Sequence, residues 1–71
     1  MANLRRLRHR FGWSQEELAA RSGLHRTFVS SVERGERNIS LDNIDRLAQA
    51  LQIDVQELLQ QLHPEEAQVQ R

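Results

Sequence analysis

The sequence predicts an all-α domain that packs five short helices into one compact bundle. Apolar residues recur three and four positions apart in five separate stretches, which is the spacing of one buried helix face. Gly12, Gly23 and Pro64 fall between or after these stretches, and glycine and proline commonly end helices. A chain of 71 residues forms a single domain with a thin core, since it buries only about 60% of its unfolded surface. We expect this domain to span residues 1–63, followed by a polar tail at 64–71.

The first predicted helix covers about residues 3–11. Leu4, Leu7, Arg8 and Phe11 lie at helical spacing. Gly12 follows directly and ends the helix.

The second predicted helix, at about 15–21, begins with a capping box. The Ser14 hydroxyl can accept a hydrogen bond from the Glu17 amide, while the Glu17 side chain reaches back to the Ser14 amide. Trp13 before the cap and Leu18 after it occupy the positions of a hydrophobic staple, which would hold the entry of the chain into this helix.

Three further helices complete the predicted bundle. The third begins at His25 or Arg26 and extends to about Arg34, and the others span about 41–51 and 55–62. The apolar residues expected on the inward face of the fourth helix are Leu41, Ile44, Leu47, Ala48 and Leu51.

Charge is divided unevenly along a chain whose formal net charge is zero. Residues 1–37 hold eight arginines and four acidic residues, whereas residues 38–71 hold two arginines and six acidic residues. A basic face can meet phosphates while an acidic face points away from them. The alternative, that these charges only solvate the surface, stays open on charge alone.

A turn that contains Gly23 joins the second and third predicted helices at a characteristic spacing. Ala19 is small enough to let the two helices approach, and Gly23 can adopt a positive φ that turns the chain sharply. Val29 and Val32 would anchor the third helix on the core, so that its other face projects outward. This spacing indicates a helix-turn-helix arrangement, although an ordinary pair of packed helices shares much of it.

Over about residues 4–62 the chain resembles the Cro/C1-type, or Xre-like, helix-turn-helix regulators. The segments that carry the resemblance are WSQEELA at 13–19, SGL at 22–24, RTFVS at 26–30 and VERG at 32–35. Residues 25–28 and 33–40 are most similar to the controller proteins of restriction-modification systems. The resemblance implies a lambda-repressor-like fold and a sequence-specific transcription regulator, which binds a palindromic operator in double-stranded DNA as a homodimer.

The resemblance also implies which residues contact DNA. Those implied to contact bases are Arg26, Thr27, Ser30, Ser31 and Arg37, and those implied to contact phosphates are Ser14, Gln15, Asn38 and Arg10. The chemistry is suitable, because an arginine can donate two hydrogen bonds to the O6 and N7 atoms of guanine. A glutamine at a helix N-terminus can meet a phosphate. An ordinary solvated role remains the alternative for Arg26 and Arg37.

Two further sets of residues are assigned structural or interface roles. Because the matching residues pair in phage repressors, the resemblance implies a partly buried ion pair between Arg8 and Glu33. The fifth helix carries more apolar residues than one small core needs, so we expect some of them to contact a second subunit, unless all four belong to the core. These residues are Val55, Leu58, Leu59 and Leu62.

The sequence favours neither an enzyme nor a metalloprotein. His9, His25 and His63 lack the spacing of metal ligands, and the chain has no cysteine. No glycine-rich phosphate loop or convincing catalytic arrangement is present, so we expect no cofactor and no catalytic residue. No apolar run approaches the roughly 20 residues that span a bilayer, so we expect a cytoplasmic protein without a membrane partner.

Within the regulators, a controller protein, a phage-type repressor and an antitoxin are all compatible with the sequence. A protein-interaction module that uses the same fold without DNA is the alternative from another class. The arginine-rich first half argues against that alternative.

Overall fold

The computed structural model describes residues 2–35 and 39–62, and within them every regular element is a helix. In chain order these are α1 (Ala2–His9), α2 (Gln15–Ser22), α3 (Arg26–Glu33), α4 (Leu41–Leu51) and α5 (Val55–Leu62). The predicted all-α fold of five helices is therefore confirmed. The predicted tail at 64–71 lies outside the described residues, as do Arg37 and Asn38.

The end of α1 differs from the prediction. The helix ends at His9, and Gly12 follows with φ +72°, a left-handed conformation that reverses the chain. The Gly12 amide donates to the His9 carbonyl at 3.0 Å, and the Trp13 amide donates to the Arg8 carbonyl at 3.4 Å. Phe11 is therefore in the turn rather than in α1, and its ring stacks on Trp13 with centroids 4.3 Å apart.

The cap of α2 forms as predicted on its serine side. The Ser14 hydroxyl accepts a hydrogen bond from the Glu17 amide at 3.0 Å. The Glu17 carboxylate, which was expected to reach back to Ser14, accepts instead from Arg21 Nε at 2.6 Å. The Arg21 guanidinium also lies over the Trp13 ring, 4.5 Å from its centroid, so α2 is linked to the turn before it.

The core lies where α2 packs against α3 and α4, and where α5 packs against α1 and α4. Its buried apolar side chains, among the described residues, are Leu4, Leu7, Leu18, Ala19, Val29, Val32, Ile44, Leu47, Ala48, Leu51, Leu58 and Leu62. Leu41 is absent from this set and is 72% exposed, so its predicted inward position is wrong. As the first residue of α4, Leu41 projects beyond the core that the later turns of the helix cover.

The turn between α2 and α3 has the conformation that the spacing predicted. Gly23 has φ +73°, and the next amide, that of Leu24, donates to the Ala19 carbonyl at 2.9 Å. Ala19 is buried, and His25 begins α3 without a side-chain hydrogen bond to the cap. The sharp turn sets the direction of α3 relative to α2.

In the part of the chain that the structure describes, no helix is long and apolar enough to cross a membrane. The same residues contain no group of three or more histidine and acidic side chains that could hold a metal ion.

Candidate nucleic-acid interface

The helix α3 has one face in the core and one face in solvent. Val29, Val32 and Glu33 are buried, and the two apolar side chains join the hydrophobic core. Arg26 and Thr27, at the beginning of the helix, are exposed. The apolar anchors therefore leave the first turn of α3 accessible, as a helix that enters a DNA groove requires.

Two serines on α3 are half-buried and already hydrogen bonded. The Ser31 hydroxyl donates to the Phe28 carbonyl at 2.8 Å, within its own helix. The Ser30 hydroxyl accepts from Arg34 Nη1 at 2.9 Å. Arg34 is exposed and was not among the predicted site residues, although its position four residues after Ser30 already placed the two on one side of the helix.

A buried ion pair connects α1 to α3. Arg8 Nε donates to Glu33 Oε2 at 2.7 Å, and Arg8 Nη2 donates to Glu33 Oε1 at 3.1 Å. Only 9% of the Arg8 side chain and 1% of the Glu33 side chain are exposed. Arg8 Nη1 also donates to the Trp13 carbonyl at 2.8 Å, so the same guanidinium holds the turn before α2.

The Glu33 carboxylate has further partners on α1 and α2 besides Arg8, which the sequence did not predict. Gln15 Nε2 donates to Glu33 Oε1 at 3.0 Å, and Arg5 Nε lies 3.6 Å from the same oxygen. Burial alone would raise the pKa of Glu33, but the hydrogen bonds from Arg8 and Gln15 and the charges of Arg8 and Arg5 outweigh burial and lower that pKa below its usual value. Glu33 is therefore a carboxylate that joins α1, α2 and α3.

The residues expected to contact phosphates are distributed over the surface. Gln15 lies at the first position of α2, with its side-chain amide held by Glu33, while the Ser14 hydroxyl serves as the α2 cap. Arg10 is exposed and lines a groove of about 330 Å³ with the α4–α5 connection. The contacts with phosphate remain predictions for these three residues, and Asn38 lies outside the described part.

The structure leaves fewer residues of α5 accessible for the predicted subunit interface. Leu58 and Leu62 are 0% and 1% exposed within the single chain, so they belong to its own core and offer no surface to a partner. Val55 and Leu59 are half-buried and lie at the edge of the core, where their outer surface is accessible. Periodicity could not separate these pairs, because all four residues lie toward one side of the same helix.

Comparison with known proteins decides the family. A family model described as helix-turn-helix matches residues 4–58, which is most of the chain and includes α2, α3 and the turn between them. The chain belongs to the helix-turn-helix family. The predicted relationship with restriction-modification controllers is confirmed as well, because the similar proteins include control proteins and a restriction-modification controller protein.

Three relatives show the extent of the similarity. The chain is 52% identical over 64 residues to a hypothetical transcription factor of Neisseria meningitidis, covering 90% of this chain and 58% of that protein. It is 51% identical over 57 residues to control protein C.SmaI of Serratia marcescens, covering 80% of this chain and 68% of that protein. The crystal structure of the restriction-modification controller protein C.AhdI from Aeromonas hydrophila superposes with a TM-score of 0.74 at 57% identity, covering 79% and 85% of the two chains.

Proposed function

We propose that this chain is a transcription regulator that binds operator DNA and controls a restriction-modification system. The observation that carries the proposal is the orientation of α3, whose buried Val29 and Val32 leave Arg26 and Thr27 exposed at the beginning of the helix. The similarity to control protein C.SmaI and to the restriction-modification controller protein C.AhdI supports the assignment to such a system.

In this proposal α3 reads base edges in the major groove. The Arg26 guanidinium donates to the O6 and N7 atoms of a guanine, and Thr27 offers a hydroxyl or its methyl group to a neighbouring base. Ser30 is short enough to let the helix approach closely, and Arg37 adds a further base contact. The two serine hydroxyls on α3 can exchange their internal partners for base atoms.

Phosphate contacts hold α3 in register on the DNA. The N-terminus of α2 presents Gln15 to the DNA backbone, and Glu33 keeps that side chain in place through the 3.0 Å hydrogen bond. Ser14, Asn38 and Arg10 supply additional phosphate contacts. Such contacts position the protein but carry no sequence information directly.

The operator is palindromic in this proposal because the protein binds it as a homodimer. Val55 and Leu59 on the edge of α5 meet the same residues of a second copy around a twofold axis. Two recognition helices related in this way lie about 34 Å apart, which is one turn of DNA.

A mobility-shift experiment tests the proposal, using a duplex from the DNA upstream of the coding sequence and a scrambled duplex of equal length. Arg26→Ala should reduce the affinity for the upstream duplex and leave the affinity for the scrambled duplex nearly unchanged. Gln15→Ala should weaken binding to both duplexes alike. Arg21→Ala removes an exposed arginine that stacks on Trp13, and it is the matched control for Arg26→Ala. Equal affinity of the wild type for both duplexes would contradict operator recognition.

A further inference from the structure

Arg46 of α4 lies against the turn that joins α2 to α3. Its Nη1 atom is 3.2 Å from the point that a Cβ atom on Gly23 would occupy. The missing side chain of Gly23 therefore leaves the space that the guanidinium uses. Because α4 packs against α2, an arginine in the middle of α4 reaches the helix-turn-helix unit from the side.

Arg46 is a basic residue in a largely acidic segment of the chain. In residues 39–62 it is the sole arginine, among four acidic residues. Its guanidinium lies beside Gly23, which comes three residues before Arg26 in the sequence. α4 thus adds a positive charge beside the turn that leads into the exposed first turn of α3.

The partner of Arg46 holds it only weakly. Arg46 Nε donates to Asp42 Oδ2 at 3.1 Å, one helical turn earlier, and the two side chains are 50% and 75% exposed. Water and salt screen such an exposed pair, so it contributes little to stability. A guanidinium in this state can exchange a surface carboxylate for a phosphate, which accepts two parallel hydrogen bonds from it.

We propose that Arg46 binds a backbone phosphate beside the α2–α3 turn when α3 enters the DNA groove. The inference rests on the proposed DNA binding and adds α4 to the contact surface. A phosphate contact carries no base information, so its loss weakens binding to every sequence alike. The loss of one phosphate contact also reduces the slope of log K against log salt concentration by about 0.9.

Five proteins test this inference on the upstream and scrambled duplexes between 50 and 200 mM salt: wild type, Arg46→Gln, Arg46→Lys, Asp42→Asn and Arg21→Gln. Arg46→Gln should reduce the slope of log K against log salt concentration by about 0.9. If the variant and the wild type bind equally at 1 M salt, this change in slope weakens binding to both duplexes by about eightfold at 0.1 M salt. Arg46→Lys should keep most of the salt slope and most of the affinity, because it keeps the positive charge. Asp42→Asn should strengthen binding to both duplexes, because it releases the guanidinium.

Arg21→Gln is the matched control, since Arg21 is similarly exposed and also pairs with a carboxylate one helical turn away. It should leave the salt slope unchanged. An unchanged slope in Arg46→Gln would overturn the inference, and so would an equal change in Arg21→Gln, which would indicate an effect of net charge. A loss confined to the upstream duplex would overturn it too, because Arg46 would then orient α3 instead of binding phosphate. If the wild type bound neither duplex, the proposed function itself would fail.

Discussion

Replacing Arg8 with methionine tests the buried carboxylate that joins three helices. The substitution keeps the apolar part of the side chain but removes the two hydrogen bonds to Glu33 and the bond to the Trp13 carbonyl. The Glu33 side chain, only 1% exposed, then retains Gln15 at 3.0 Å and the more distant Arg5 at 3.6 Å. A buried charge thus loses its strongest partner.

The expected loss of stability is large for a domain of this size. Removing one partner of a buried ion pair costs about 3–5 kcal/mol, and because Glu33 keeps Gln15 and Arg5 among its partners, we expect a loss near about 3 kcal/mol. A domain of 71 residues has a free energy of unfolding of roughly 4–11 kcal/mol, so Arg8→Met should remove a large part of it. The corresponding decrease in Tm is about 12–24 °C.

The double variant Arg8→Met/Glu33→Met shows whether the loss of stability comes from losing the ion pair itself or from leaving the Glu33 charge buried without Arg8. Two apolar side chains of similar volume often replace a buried ion pair at little cost, so the double variant should lie within about 1 kcal/mol of the wild type. Arg46→Met breaks an exposed pair and is the control for losing an arginine, with an expected loss below about 1 kcal/mol.

The change of the free energy of unfolding with pH provides a second test, in which the direction of the change is predicted. In the wild type the pKa of Glu33 lies below its ordinary value of 4.5, so the stabilisation is complete above pH 4.5 and is lost as the pH falls through the lower, folded-state pKa. In Arg8→Met burial is no longer outweighed by the arginine, and the pKa should rise above 4.5. As the pH falls, protonation of Glu33 then removes the poorly paired buried charge from the variant. The difference in the free energy of unfolding between the two proteins should therefore shrink from pH 7 to pH 4.

These differences in the free energy of unfolding are measured by urea unfolding. The transition is monitored by circular dichroism and by the fluorescence of Trp13, the single tryptophan of the chain. The reasoning would be refuted by a loss below 1 kcal/mol in Arg8→Met at pH 7. A difference from the wild type that widens on acidification would refute the account of the Glu33 pKa.

Three other changes have expected outcomes. Leu59→Asp should shift sedimentation at tens of micromolar protein toward the monomer, whereas the control Gln60→Asp on the exposed side of α5 should sediment like the wild type; equal behaviour of the two would contradict the α5 interface. Gln52→Gly should raise the free energy of unfolding by up to about 1 kcal/mol, because Gln52 has φ +60° and glycine adopts this conformation without strain. Gly23→Ala should lower it by about 1–2 kcal/mol, because φ is +73° and the new Cβ would lie 3.2 Å from Arg46 Nη1; an unchanged urea midpoint would contradict either account.

Much of the fold was predictable because its signals are local. Helix spacing, the Ser14 cap and the left-handed Gly23 depend on residues within one or two helical turns of each other, and the structure contains each of them. The end of α1 was predicted two residues too late, because the spacing of Phe11 matched the helix while the Gly12 turn extended back to His9. The aromatic ring found a partner in Trp13 instead of the core.

The sequence by itself determined that this chain forms five helices, with a glycine turn between the second and third and a basic first half. Only the tertiary structure decided which surfaces remain available. It buried Leu58 and Leu62 in the chain's own core, exposed Leu41, and brought Arg46 of the acidic half to the α2–α3 turn. The physical reason is that periodicity defines the apolar side of a helix from its own residues, whereas burial depends on which other helices cover that side.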